Sequence, residues 1–140
     1  MYGSIKAFIG QFGEREALAL ACRTVPESDG EEIDEELIGR ALEAASSEAD
    51  SYLAVRYRVP VNPEPHMLHI VVNDIARYRL TGADRLETDP VVRRYEEAIR
   101  WLTNASRGVV DITGQDGDGD GEPDDGAGVM IEPGRREWLL

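Results

Sequence analysis

Apolar residues between positions 37 and 56 recur every three or four residues, and the pattern stops before Pro60. This spacing puts one apolar stripe along an α-helix, so it predicts a long amphipathic helix. Asp34 precedes the stripe and can cap the helix, because its carboxylate suits the positive end of the helix dipole. Proline cannot continue a helix, so this one must end before residue 60. The stripe comprises Leu37, Ile38, Ala41, Leu42, Ala45, Ala49, Tyr52, Leu53 and Arg56.

Two more helical patterns follow. Prolines at positions 60, 63 and 65 predict an extended connector over residues 59–64 and a helix that begins near Pro65 and covers residues 66–80. Its apolar residues occupy more than one face, which is typical of the most buried helix of a bundle. After a turn around Gly82, Asp89 and Pro90 signal the start of a last helix, which should end near Arg107.

The N-terminal part of the chain predicts two short helices. Ser4 can cap the first, and the second begins at Glu14 and extends to about Arg23, before a predicted loop over residues 24–34. The predicted fold class is therefore all-α: a small helical bundle of three main helices plus two short N-terminal ones. Residues 1–108 form this domain, and residues 109–140 form an acidic Gly/Asp-rich loop and a C-terminal arm that is irregular or a short β-hairpin.

The chain is strongly acidic, with 28 Asp and Glu against 15 Lys and Arg and a formal net charge of -13. This charge repels a phosphate backbone and argues against a protein that grips nucleic acid. It is compatible with DNA that passes nearby without specific binding, and equally with plain solubility.

Cysteines and targeting signals are sparse. Cys22 is the only cysteine, so an intrachain disulfide and a cysteine-based zinc site are excluded. Its apolar neighbours predict a small buried side chain rather than a nucleophile. Residues 1–10 lack the apolar run of a secretory signal and no segment approaches transmembrane length, so we expect a cytosolic protein without membrane contact.

Asp116, Asp118 and Asp120 match the first half of a calcium-binding loop. Ala127 stands where such a loop needs a bidentate glutamate, so the competing interpretation is a solvated acidic linker with no metal. His66 and His69 are three residues apart but lack a third ligand. The sequence offers neither a nucleophile with its base nor a nucleotide-binding glycine pattern, so we expect no catalytic residues and no cofactor.

Arginines next to aromatic residues are suited to subunit interfaces, where they form ion pairs and stack on rings. For the arginines on helices, an ion pair with an acidic group on a neighbouring helix of the same chain is an equally good interpretation. The residues of the C-terminal segment could instead pack on the helical bundle of their own chain. The predicted interface residues are Arg56, Tyr57, Arg77, Arg135, Arg136 and Trp138.

Several blocks, in order along the chain, resemble a family of small Mu-like phage and prophage proteins. The blocks are Met1 and Tyr2; Phe12, Gly13, Glu14, Arg15 and Glu16; Ala49, Asp50, Ser51, Tyr52 and Leu53; Arg56, Tyr57 and Pro60; Asp74, Ile75, Ala76, Arg77, Tyr78, Arg79, Leu80 and Gly82; Arg94, Tyr95 and Glu96; and Ala98, Ile99, Arg100, Trp101, Leu102 and Gly108. The resemblance covers residues 1 to about 108, and the acidic residues 111–128 depart from it.

The resemblance implies a structural virion protein without catalysis, similar to the head-tail connector (adaptor) proteins that stack as a ring on the phage portal. Expected partners are further copies of the chain, the portal and other head-tail proteins. The expected location is the virion, and the host cytoplasm during assembly. The alternative from the residues is a calcium-binding interaction module that uses the Asp116 to Asp125 loop.

Overall fold

The computed structural model describes residues 1–82 and 89–112 of the chain. This part is mostly helical and contains one small two-stranded sheet. In chain order the elements are α1 (Ile5–Phe12), α2 (Glu14–Leu20), β1 (Cys22–Val25), β2 (Gly30–Ile33), α3 (Glu35–Leu53), α4 (His66–Thr81) and α5 (Pro90–Ser106).

Three of the helices begin at side-chain caps that the sequence predicted. Ser4 Oγ accepts a hydrogen bond from the Ala7 N–H at 3.0 Å, and Asp34 Oδ1 accepts one from the Leu37 N–H at 3.0 Å. Asp89 Oδ1 accepts one from the Val91 N–H at 2.8 Å, with Pro90 in the first helical position. Each cap satisfies a backbone donor that has no partner within the helix, which fixes the helix start.

Helix α4 packs against both α3 and α5 and forms the centre of the bundle. Its residues 71–76 are all buried, so apolar side chains leave this helix in several directions, as predicted. The N-terminal helices close one side of the core through Phe8 and Ala17, both fully buried. The bounds of α4 and α5 confirm the predicted helices.

Residues 22–33 differ from the prediction, because they form an antiparallel hairpin rather than the end of a helix and a loop. Cys22 pairs with Ile33 and Val25 with Gly30, and Asp29 in the turn has a φ of 51°. Helix α2 ends at Leu20 because Ala21 is already extended. Cys22 is exposed on β1, so the prediction that it is buried is wrong. The fold is mostly helical, in agreement with the predicted class, and the small hairpin is an addition to it.

The ends of α3 and α5 meet near the end of the described chain. Helix α3 stops at Leu53, and one further turn is closed by a hydrogen bond from the Tyr57 N–H to the Leu53 carbonyl at 2.8 Å. After α5, Gly108 has a φ of 76° and turns the chain so that Ile112, 2% exposed, enters the core. Residues 113–140, which contain most of the predicted arm, lie outside the described ranges. Across residues 1–82 and 89–112, no helix is long and apolar enough to cross a membrane.

Candidate functional site

Arg77 extends from α4 towards the two N-terminal helices. Its Cζ lies 4.7 Å from the centroid of the Phe12 ring, and its Nε donates a hydrogen bond to Glu16 Oε1 at 2.8 Å. The Arg77 side chain is 18% exposed and that of Glu16 is 32% exposed, so solvent screens this ion pair less than one on the open surface. Arg77 therefore forms the intrachain ion pair that was one of its two interpretations from the sequence. Its contact with another subunit stays a prediction.

Arg56 and Tyr57 connect the end of α3 to the segment after α5. The Tyr57 hydroxyl donates to the Val110 carbonyl at 3.3 Å, and burial raises the pKa of this phenol. The Arg56 guanidinium packs directly on Gly108. Its Nε is buried and has no hydrogen-bond partner in the described part of the chain. These contacts again lie within the chain, so a role between subunits stays a prediction.

The other predicted site residues lie outside the described ranges, so the calcium loop and the C-terminal contact stay predictions. They are Asp116, Asp118, Asp120, Arg135, Arg136 and Trp138.

Tyr2 forms a buried polar contact that the sequence did not predict. Its N–H donates to Ser46 Oγ at 3.0 Å, and its hydroxyl donates to Asp50 Oδ1. The same hydroxyl accepts a hydrogen bond from the Val61 N–H at 2.9 Å. Burial, followed by the hydrogen bond to Asp50, raises the pKa of Tyr2. One side chain thus ties the N-terminus to α3 and to the proline-rich connector.

A second cluster joins α3, α4 and α5. The rings of Tyr78 and Tyr95 stack with centroids 4.0 Å apart and an interplanar angle of 12°. Glu48 on α3 accepts hydrogen bonds from the Tyr95 hydroxyl at 3.2 Å and from Arg79 Nη2 at 2.6 Å. Burial and the Glu48 carboxylate raise the pKa of Tyr95. The Glu48 carboxylate thus links three helices, because it lies on α3 and accepts hydrogen bonds from α4 and α5.

Asp74 is a buried carboxyl in the middle of α4, 5% exposed. Burial raises its pKa to about 6, although the nearby Arg94 and Arg77 act in the opposite direction. Its Oδ1 has no hydrogen-bond partner in the described part of the structure. The burial of Asp74 could have been predicted from the sequence. Apolar residues occupy several faces of this helix, so a polar residue that lies between two apolar faces is buried as well.

His66 and His69 border an open surface depression of about 430 Å³ between α1, α4 and α5. Their ring centroids are 6.4 Å apart, and His69 Nε2 lies 2.5 Å from Glu64 Oε2. Among the described residues, no three His, Cys, Asp or Glu side chains are grouped so that they could hold a metal ion. Of the two histidines, His69 is already engaged by Glu64.

Comparison with known proteins identifies the family. The family model described as "Bacteriophage Mu, Gp36" matches residues 2–131. The chain belongs to this family. A protein named "Mu-like prophage FluMu protein gp36", from Haemophilus influenzae, is 34% identical over 110 residues, which cover 79% of this chain and 75% of that protein. The resemblance to Mu-like phage proteins is thus confirmed, and the Gp36 match continues beyond residue 108.

The blocks that carry the resemblance to the Mu-like family meet one another in the fold. Tyr2 contacts Asp50, and Arg77 contacts Phe12 and Glu16. Tyr78 stacks on Tyr95, and Arg56 packs on Gly108. Each of these pairs joins two blocks that are distant in sequence. The polar and aromatic residues of the blocks therefore hold helices in place.

Proposed function

We propose that this protein is a phage head-tail connector (adaptor) subunit, which assembles as a ring next to the portal and joins the capsid to the tail. Membership of a bacteriophage Mu family supports a role in a phage. The observation that carries the structural role is that buried and half-buried polar side chains link separate elements of the bundle. Tyr2, Arg77 and Glu48 each link separate elements of the bundle, which gives a stiff unit suited to assembly.

A ring follows from symmetry. A head-to-tail interface that closes uses one pair of surfaces in every subunit, so modest contacts are multiplied around the ring. The partners in this proposal are further copies of the chain, the portal and other head-tail proteins. The protein acts without catalysis or cofactor, in the virion and, during assembly, in the host cytoplasm.

Deletion of the gene from its phage tests the role. We expect DNA-filled heads and free tails to accumulate, and expression of the protein from a plasmid to restore tailed particles. Mass spectrometry of purified virions should detect the protein, and native mass spectrometry with the cognate portal should give one closed ring. Normal virions from the deletion mutant, or virions without the protein, would refute the proposal.

The net charge of -13 supports a channel through which DNA passes without binding, because the acidic protein and the phosphate backbone repel each other. Neutralising Asp116, Asp118 and Asp120 together to asparagine should leave assembly intact and slow genome ejection, measured as DNA release from triggered virions. An unchanged ejection rate removes this part of the proposal. Calcium-binding heat in titration calorimetry that disappears in the triple variant would instead favour the calcium-binding module.

A further inference from the structure

The hairpin formed by β1 and β2 is poorly covered by its own chain. It packs mainly on α2, and three of the four residues of β1 are exposed. Residues 26–29 of the turn are exposed as well. A two-stranded hairpin is marginally stable by itself in water and normally needs a surface to pack on. This exposed hairpin therefore offers a surface to a partner.

The hairpin and the first turn of α3 are strongly acidic. Residues 22–36 contain seven carboxylates and one basic residue, Arg23. Arg23 pairs with Glu32, and Glu36 pairs with Arg40. Glu27, Asp29 and Glu35 form no ion pair within residues 1–82 and 89–112. The partner surface should accordingly be cationic.

Helix α5 and its cap carry a matching surface. Arg93, Arg100 and Arg107 are exposed and stand seven residues apart, which is two helical turns, so they share one face. We call these three residues the arginine stripe; it extends about 21 Å along the helix. None of them forms an ion pair in the described part of the chain. Two exposed glutamates flank the stripe, Glu96 and Glu97, and Glu97 lies 3.7 Å from Arg94.

We propose that the acidic hairpin of one subunit docks on the arginine stripe of a second copy of this chain. The two surfaces belong to different parts of the subunit, because the hairpin packs on α2 whereas α5 packs on α3 and α4. Complementary charges on separate surfaces specify a head-to-tail contact, which is the kind that closes into a ring. This inference rests on the proposed connector function and names the surfaces that it would use.

Disulfide cross-linking in assembled particles tests the contact. In a Cys22→Ser background, Asp29→Cys and Arg100→Cys are combined in one chain, and purified particles are oxidised. We expect a ladder of cross-linked multimers. The matched control combines Asp29→Cys with Lys6→Cys, another exposed cation, and should give no ladder. A ladder in neither variant, or in both, overturns the contact.

Charge reversal provides a second measurement that does not depend on disulfide geometry. Glu27→Arg with Asp29→Arg, and separately Arg93→Glu with Arg100→Glu, should each lower the yield of tailed particles at least about tenfold. All four changes together should restore it. Circular dichroism of each variant verifies the fold. Full yields from both reversals, or no rescue by the combination, overturn the contact.

Three outcomes separate the possible causes. If the variants with a reversed stripe form rings but fail to retain DNA, the stripe binds phosphate and the docking inference is wrong. If the unaltered protein is missing from particles, the proposed connector function fails and this inference fails with it. Protein present in particles without the hairpin-to-stripe cross-link refutes only the docking inference.

Discussion

Asp74 shows how a single residue can set the pH dependence of this fold. Its carboxyl is buried in α4, and its pKa is about 6 instead of 3.8. The folded state therefore holds this proton more tightly than the unfolded chain does. The stability that protonated Asp74 contributes is complete below pH 4 and is lost as the pH rises through 6. Above that range the charged carboxylate destabilises the fold by roughly 3 kcal/mol.

Replacing Asp74 by asparagine tests this effect. The variant should match the natural protein near pH 4 and be more stable by up to about 3 kcal/mol at pH 7.5, because the buried charge is gone. Urea unfolding at several pH values measures the difference. Glu43→Gln, which removes an exposed carboxylate, is the matched control. Parallel stability curves for Asp74→Asn and the natural protein would contradict the assignment.

Tyr2 allows a second test on one side chain. Tyr2→Phe removes the acceptor of the buried Val61 N–H and the donor to Asp50. We expect a loss of about 1–3 kcal/mol in the free energy of unfolding, since an unpaired buried amide keeps its full desolvation cost. Tyr52→Phe, at a half-buried position of α3, should change it by less than about 0.5 kcal/mol. Equal effects of the two changes would show that the Tyr2 hydroxyl is not important.

At the scale of elements, the contact between Gly108 and Arg56 holds the end of α5 against the end of α3. A Cβ at Gly108 would stand 2.6 Å from Arg56 Cζ, and the φ of 76° disfavours any side chain. Gly108→Ala should therefore destabilise the protein by about 1–2 kcal/mol. Gly10→Ala lies within α1 in open space and should stabilise by about 0.5–1 kcal/mol. Thermal unfolding measures both; the same sign for both would contradict this explanation.

The hairpin illustrates where local patterns mislead. Pro26, Ser28, Asp29 and Gly30 correctly indicate a turn. The strands on either side are only four residues long and largely exposed, so they lack the alternation of apolar and polar residues that marks a half-buried strand. Pairing across the turn, together with α2, decided their structure. Cys22 is exposed for the same reason, since it belongs to a ribbon and not to the apolar face of a helix.

For the whole molecule, the extent of the folded unit can be tested by truncation. Ile112 is 2% exposed in the core, so a chain ending at Ile112 keeps this buried side chain and serves as the reference. A chain ending at Gly108 should lose at least about 2 kcal/mol, because a buried isoleucine and its contacts are removed. Chemical unfolding of the two shortened chains measures this difference. Equal stabilities would support the division at residue 108 that the sequence predicted.

The sequence by itself determined the three main helices, the caps of α1, α3 and α5, and the family. Apolar periodicity, cap residues and prolines act over a few neighbouring positions, so they can be recognised without a fold. Only the tertiary structure decided that Arg77 pairs with Glu16, that Tyr2 reaches Asp50 and that residues 22–33 form a hairpin. Arg77 and Glu16, like Tyr2 and Asp50, are distant along the chain, and packing of the helices brings them within hydrogen-bonding distance. The hairpin strands are close in sequence, but their pairing is not marked by any apolar periodicity.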